Sequence, residues 1–416
     1  MTDPSQTIAD AAIEQPLLAA LIRRDPGPLA GLVQGNAALW EKVCARARDH
    51  RCLPYLYRVF DQAGVAAPVP FGSGLRQRWV LRALSIQREC RHLHDILSEA
   101  GIAHVFLKGV PLAVSAYPEP WLRPLRDIDL LVAPEDLPRA QALLVDRGGA
   151  IERYAHKDET PGDPDAKHLA PVWSPGRVIA VELHGHAADA GSGLGLAALA
   201  RLDAALWESA VDIPVGESTL PVPGPEALFV HLVMHGVYDH ELNNGPLFVT
   251  DLIHLLERMP PDPLGVVALA GELGIERGLA LALALVPEQT PGRAEMCDAV
   301  RAALSEGDAL ALSEDAAAAL LLQDSAARTD LRLAADMADR TWGQRLRLMV
   351  RKTFPSRETM INRWRMEGHT APPPARGLWL WFITVRLRGM HRSGDTLPRT
   401  RDHLMRLRAL RDGRGP

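Results

Sequence analysis

Two carboxylates sit at alternate positions of one apolar run, Asp127-Ile128-Asp129-Leu130-Leu131-Val132. In a strand, alternate side chains share a face, so Asp127 and Asp129 point one way while Ile128 and Leu130 point into packing. Carboxylates that close repel each other unless a cation lies between them. Hard divalent cations such as Mg2+ take carboxylate oxygens together with waters and substrate phosphates. The pair therefore reads as a candidate Mg-nucleotide site. An isolated Asp-x-Asp is more often a solvated strand edge or a turn, but the apolar residues that follow this one mark a buried strand.

A third acid joins them. In Val178-Ile179-Ala180-Val181-Glu182-Leu183-His184, Glu182 and His184 share one face and Ile179, Val181 and Leu183 the other. A carboxylate in so apolar a strand is costly unless it is paired or ligated. With Asp127 and Asp129 in the same chain, Glu182 reads as a further metal-facing carboxylate.

The elements that must position these residues follow from periodicity. Residues 1–100 read as helical, ending in a long amphipathic helix from Leu75 to Ala100, with Leu81, Leu84, Cys90 and Leu93 suited to packing and Gly101 as its stop. Pro68–Gly72 reads as a linker. From residue 102 the pattern is α/β. The run Val105-Phe106-Leu107 ends at Lys108-Gly109, a helix follows from Val110 to Tyr117, and a turn with Pro118, Pro120 and Pro124 leads into the Asp-x-Asp strand. Another helix starts at Pro134, and a strand is expected from Ile151. Lys157–Lys167 is a polar loop, and His168–Trp173 with Val178–His184 reads as a hairpin around Ser174-Pro175-Gly176. From residue 220 the chain returns to helix, including a core helix across Leu264–Val286. His231 and His235 stand four apart on one helical face, a spacing that suits packing or hydrogen bonding here because no H-E-x-x-H accompanies it. The expected organisation is a helical region 1–100, an α/β core 101–218, a helical domain 219–340 and a basic helical region 341–416.

Lys108-Gly109, Tyr117 and Arg123, with Arg123 four residues before Asp127-x-Asp129, form a constellation that resembles the uncharacterised bacterial nucleotidyltransferases related to the polymerase-β-type minimal nucleotidyltransferases. Val181-Glu182-Leu183-His184 is similar to the place where that family carries an acidic residue followed by Leu-His. The stretch from Pro225 through His231 and His235 to Asp251-Leu252 is similar to its helical region, and the resemblance covers about residues 35–290. It implies an α+β fold, a small mixed β-sheet with packed helices between helical flanks. It also implies two Mg2+ ions on three carboxylates, with an acceptor hydroxyl attacking the α-phosphorus of an NTP and pyrophosphate leaving. Carried over, Asp127, Asp129 and Glu182 are the catalytic metal ligands. Most of the superfamily has Gly-Ser or Gly-Gly where this chain has Lys108-Gly109. Gly109 keeps close backbone approach, Lys108 supplies charge in place of the hydroxyl, and Arg123 is placed to reach a phosphate.

Composition bounds the rest. The chain has 416 residues, 47% hydrophobic and 23% charged, ordinary for a soluble protein of two or three domains. Four cysteines without a C-x-x-C pair fit a reducing cytoplasm better than a disulfide framework or a zinc site. The start is polar, unlike a signal peptide, and no run reaches the ~20 apolar residues that span a bilayer. From Arg340 onward there are 18 basic residues against 5 acidic. Such a block either docks on the acidic remainder of the chain or meets a partner. The apolar stretch Gly377–Arg386, hinged behind Pro372-Pro373-Pro374, could touch a membrane surface or a peptide, and reads better as a docked helix. The expectation is a cytoplasmic Mg-dependent nucleotidyltransferase acting on NTP and an unknown acceptor (small molecule, peptide or protein). Nucleic acid is a weaker partner, because no aromatic-and-basic reader motif is present. The alternative is a non-catalytic accessory protein that binds a nucleotide or peptide in the same cleft.

Overall fold

Before the sheet come five helices: α1 (Pro4–Ile22), α2 (Gly27–Val33), α3 (Ala37–Asp49), α4 (Leu53–Gln62) and α5 (Leu75–Glu99). Five short strands then form one mixed sheet: β1 (His104–Phe106), β2 (Asp127–Val132), β3 (Ala150–Ile151), β4 (Val172–Trp173) and β5 (Ala180–His184). Between them lie the short helix α6 (Gly109–Pro111), continued by a π-helical turn Leu112–Ala116, and α7 (Leu137–Asp146). Next are α8 (Leu196–Glu208), the hairpin strands β6 (Val211–Val215) and β7 (Ser218–Val222), and α9 (Pro225–Val233). The helices α10 (Pro246–Arg258), α11 (Pro263–Leu273), α12 (Glu276–Ala284), α13 (Arg293–Ala303), α14 (Glu314–Leu321), α15 (Ala375–Arg392) and α16 (Leu397–Arg411) complete the order. The structure is a computed structural model. It describes residues 4–67, 74–151, 169–188, 194–304, 312–322, 374–392 and 397–413, with six single positions between 342 and 364. The expected Pro68–Gly72 linker, the Lys157–Lys167 loop and the Pro372-Pro373 hinge lie outside the described residues.

The sheet order is β1-β2-β5-β4-β3. β2 pairs antiparallel with β1 and parallel with β5, and β4 is antiparallel to both β5 and β3. The parallel register sets Asp127 opposite Ala180, Asp129 opposite Glu182 and Leu131 opposite His184. In-register neighbours share a face, so the alternation read from each strand adds up across the pair. Ile128, Leu130, Val132, Val181 and Leu183 fall on the other face. There they are buried with Ile86, Leu93 and Leu97 of α5 and Leu137, Ala140 and Leu144 of α7. The result is the α+β architecture expected, a small mixed sheet among helices.

Local departures have physical reasons. Leu81 and Leu84, expected to pack, are 63% and 55% exposed, because α5 turns only its later residues to the sheet. The expected single helix across Leu264–Val286 is two, α11 and α12, broken at Gly274 with φ +69. The β6-β7 hairpin was not anticipated. It turns at Gly216 with φ +65 and buries Val215, Leu220 and Val222 against the sheet core. In the basic C-terminal region, α16 docks on the helical body. Leu404 and Leu407 join its core, Arg408 pairs with Glu241, and the Arg411 guanidinium lies 5.1 Å over the Tyr238 ring. No described helix is long and apolar enough to cross a membrane.

The helical body and the site region meet at a buried polar network. Arg123 Nε and Nη2 donate to the two oxygens of Asp251 at 2.8 and 2.9 Å. The Tyr117 hydroxyl donates to Asp251 Oδ1 at 2.8 Å and lies 2.9 Å from Thr250 Oγ1. All of these residues are buried. Removing one partner of such a pair leaves the other charge uncompensated in a low-dielectric interior. Asp251→Ala is therefore expected to destabilise the fold by about 3–5 kcal/mol in urea unfolding. A loss below about 1 kcal/mol would show that the network contributes no more than a surface pair.

Nearby, Arg24 grips Glu257 through two hydrogen bonds of 2.9 and 2.7 Å, and His254 Nδ1 lies 3.5 Å from Glu257 Oε2. Burial works to raise the Glu257 carboxyl, but the neighbouring His254 and Arg24 outweigh it and hold it down to about 2. A carboxyl depressed on folding contributes stability that is present above its unfolded pKa, about 4.3, and lost as pH falls through its folded value. Wild type should lose stability between about pH 4.5 and 2 more steeply than Glu257→Gln. Parallel curves from pH-dependent urea unfolding would rule that contribution out.

Candidate active site

The sheet edge delivers Lys108 to the acids. β1 pairs with β2 through Phe106 opposite Leu130, and the Leu107 N–H extends the ladder by donating to the Asp129 carbonyl at 2.9 Å. Lys108 then leaves the strand with φ +52 and ψ −107, a conformation that side-chain-bearing residues rarely adopt. Its ammonium donates to Asp129 Oδ1 at 2.6 Å. Gly109 follows, packed against the segment that enters β2. A Cβ on it would lie 2.5 Å from Leu125 Cδ2 and 3.3 Å from Arg123 Nη1. Glycine is what lets the backbone come this close.

On β2 and β5, Asp129 is the hub. With its proton on Nε2, His184 donates to Asp129 Oδ1 at 2.8 Å, and the same nitrogen lies 3.5 Å from Glu182 Oε2. Ligand atoms of Asp129, Glu182 and His184 all lie within 4.8 Å of one another, which is close enough to hold one metal ion. Asp127 shares their face at the mouth of β2 but is not a member of that tight group. His184 is the residue the sequence reading left without a role. Its signal was present, since it sits two residues after Glu182 on the same face. The bond to Asp129 depends on a pairing with a strand about fifty residues away, which one-strand periodicity does not reveal.

Charge is unevenly held here. Burial works to raise the Asp129 carboxyl, yet the Lys108 charge and the His184 hydrogen bond hold it well below the usual range. Glu182 is also lowered, with burial opposed chiefly by its bond to His184. Asp127 goes the other way, pushed up to about 6 by burial and then by the charges of Asp129 and Glu182. Burial would lower the Lys108 ammonium, but Asp129, Glu182 and Asp127 together raise it. The donor set fits a divalent cation. It offers carboxylate oxygens held ionised on one face, which suits hard ions, and one imidazole, which also suits first-row transition metals.

The remaining expected residues are placed differently. Arg123 gives Nε and Nη2 to Asp251 and Nη1 to the Pro124 carbonyl at 3.1 Å, so its guanidinium is engaged within the protein beside Gly109. His231 is buried with Nε2 3.2 Å from the Ala187 carbonyl, and His235 Nδ1 lies 3.5 Å from Asp239 Oδ2. Both serve the helical packing that their spacing suggested.

A family model described as an uncharacterised nucleotidyltransferase matches residues 36–290. No curated protein matches the chain. The matched span is more than half of the 416 residues. It begins at α3, takes in the whole sheet and continues past α12, so every residue of the acidic face, Lys108-Gly109 and the Arg123–Asp251 pair fall inside it. With the mixed sheet and its clustered carboxylates agreeing with that span, the chain belongs to the uncharacterised nucleotidyltransferase family.

Proposed function

We propose that this chain moves a nucleoside monophosphate from an NTP to a hydroxyl, or to a phosphate, of an acceptor molecule. The observation that carries the reading is the Asp129–Glu182 register, which sets carboxylates of two adjacent strands on one face with Asp127 at its mouth. In this reading Asp127, Asp129 and Glu182 hold Mg2+. A pair of Mg2+ ions held by these carboxylates would supply activation of the acceptor hydroxyl and charge stabilisation for in-line displacement of pyrophosphate at the α-phosphorus. His184 orients Asp129 through Oδ1, and Lys108 meets the same oxygen. A hydrogen-bonded neighbour of this kind fixes the direction of a ligating carboxylate. Lys108 and the Gly109 backbone border the acidic face and are the proposed nucleotide contacts. Arg123 acts from behind as a positioning residue, holding the Gly109 turn against the helical body.

One contact favours the alternative, a non-catalytic protein that binds a nucleotide or peptide in this cleft. The Lys108 ammonium, 2.6 Å from Asp129, already supplies a positive charge to a carboxylate that a metal would need. The two readings part in a thermal-shift titration with each NTP, with and without Mg2+. Ligand at 100 times its Kd stabilises a fold by about 2.7 kcal/mol, so wild type should melt several degrees higher with Mg2+ and the right NTP. Asp129→Asn should fold and lose that metal-dependent shift. An equal response of both proteins would remove Asp129 as a metal ligand, and no response to any NTP would favour the non-catalytic reading. With an acceptor in hand, Glu182→Gln should lower turnover by at least about 100-fold, the scale of losing one preorganised electrostatic group at a reacting centre.

A further inference from the structure

A cation reaches the site from outside the sheet. Arg51 lies on the turn between α3 and α4, flanked by His50 and Cys52, both buried. Its φ is +60, a left-handed conformation that residues with a side chain rarely adopt. The turn is nonetheless well fixed. The Arg51 N–H donates to the Arg48 carbonyl at 2.9 Å and the Cys52 N–H to the Ala47 carbonyl at 2.7 Å. It seats on the start of α10, where a Cβ on Gly245 would lie 2.7 Å from His50 Nδ1, and the Cys52 thiol donates back to the His50 carbonyl at 3.2 Å. The same helix carries Asp251, which holds Arg123. Arg51 is thereby placed within electrostatic reach of Arg123, Arg126, Asp127 and Asp251.

The charges of this group do not balance in pairs. Asp251 is taken by Arg123 through both oxygens. Arg126 is exposed beside Asp127. The half-buried Arg51 side chain makes no hydrogen bond or ion pair with a described residue. Burial and the nearby Arg123 and Arg126 push its guanidinium down to about 10, against the pull of Asp127 and Asp251. It stays protonated, held in strained backbone among like charges. An oxyanion relieves such an arrangement, and the guanidinium fork is shaped to take one by two hydrogen bonds.

We propose that Arg51, together with Arg126, forms a phosphate-binding subsite beside the acidic face. The phosphate is that of the NTP or one borne by the acceptor. This rests on reading the acidic face as a nucleotidyl-transfer site, and it gives the helices before the sheet a part in substrate binding. Arg51 becomes a specificity residue of that site, reading anionic charge that the strands do not contact.

The test uses the full chain and inorganic tripolyphosphate in EDTA, with binding followed by calorimetry. Wild type should bind it. Arg51→Gln should weaken binding at least tenfold, Arg51→Lys should recover part of the loss, and Arg126→Gln should weaken it less. The melting temperature of ligand-free Arg51→Gln should equal or exceed that of wild type, because the substitution relieves like-charge repulsion; a drop of several degrees would mark Arg51 as a structural group. A second arm measures NTP with Mg2+. A matching loss in Arg51→Gln assigns the subsite to the triphosphate, and unchanged NTP binding assigns it to a phosphate on the acceptor. Tripolyphosphate binding that is equal in wild type and Arg51→Gln, or absent from both, overturns the proposal. Tripolyphosphate binding that depends on Arg51 while no NTP binds with Mg2+ would instead sink the nucleotidyl-transfer reading and leave the subsite standing.

Discussion

The ion pair between Arg123 and Asp251 is where the two halves of the structure depend on each other. Taking two charges out of water is expensive, and only fork-to-fork geometry with every oxygen occupied offsets it. Asp251 meets that condition with the Arg123 guanidinium and the Tyr117 hydroxyl. Tyr117 closes the π-helical turn after Gly109, and Arg123 ends the approach to β2. One carboxylate on α10 thus fixes two points, Tyr117 and Arg123, on the segment that leads from Lys108 to the Asp-x-Asp strand. Gly109, without a Cβ, lets Leu125 and Arg123 come close enough for this to happen.

On the other side of that segment the electrostatics work in opposition. Lys108 and His184 converge on a single oxygen of Asp129 and keep it ionised despite burial. Asp127 has no such pair of donors among the described residues and is pushed up by burial and then by the acids it faces. The same face therefore holds one carboxylate firmly charged and another that a cation would stabilise. Strain in the Lys108 backbone, with φ +52, accompanies this arrangement, as unusual backbone often does where a side chain must be aimed.

How much of this was legible in the sequence follows from range. Asp127, Asp129 and Glu182 were readable because strand alternation is local and each lies in an apolar run. Their shared face was an inference across strands that the parallel register bears out. The bond of His184 to Asp129, the capture of Arg123 by Asp251 and the approach of Arg51 all join positions far apart in the chain, and no local pattern encodes them. The long amphipathic helix was visible, but not which of its leucines face the sheet. Leu81 and Leu84 satisfy helical spacing and still lie in solvent. The β6-β7 hairpin was missed because Pro214 and Pro221 lie inside its strands, and proline, which removes a ladder donor, argues against a strand.

The parallel pairing of β2 and β5 also bears on how such a chain tolerates changes of length. Side chains alternate with a period of two, so inserting or deleting one residue within β5 ahead of Glu182 would send that carboxylate to the opposite face of the sheet. Outside the strands no such rule applies. Doubling the length of a flexible loop costs only about 0.6 kcal/mol in closure entropy. Extra residues outside the strands leave the Asp129–Glu182 register intact, whereas one extra residue within β2 or β5 does not. Length variation among relatives should therefore be missing from the six residues of β2 and the five of β5.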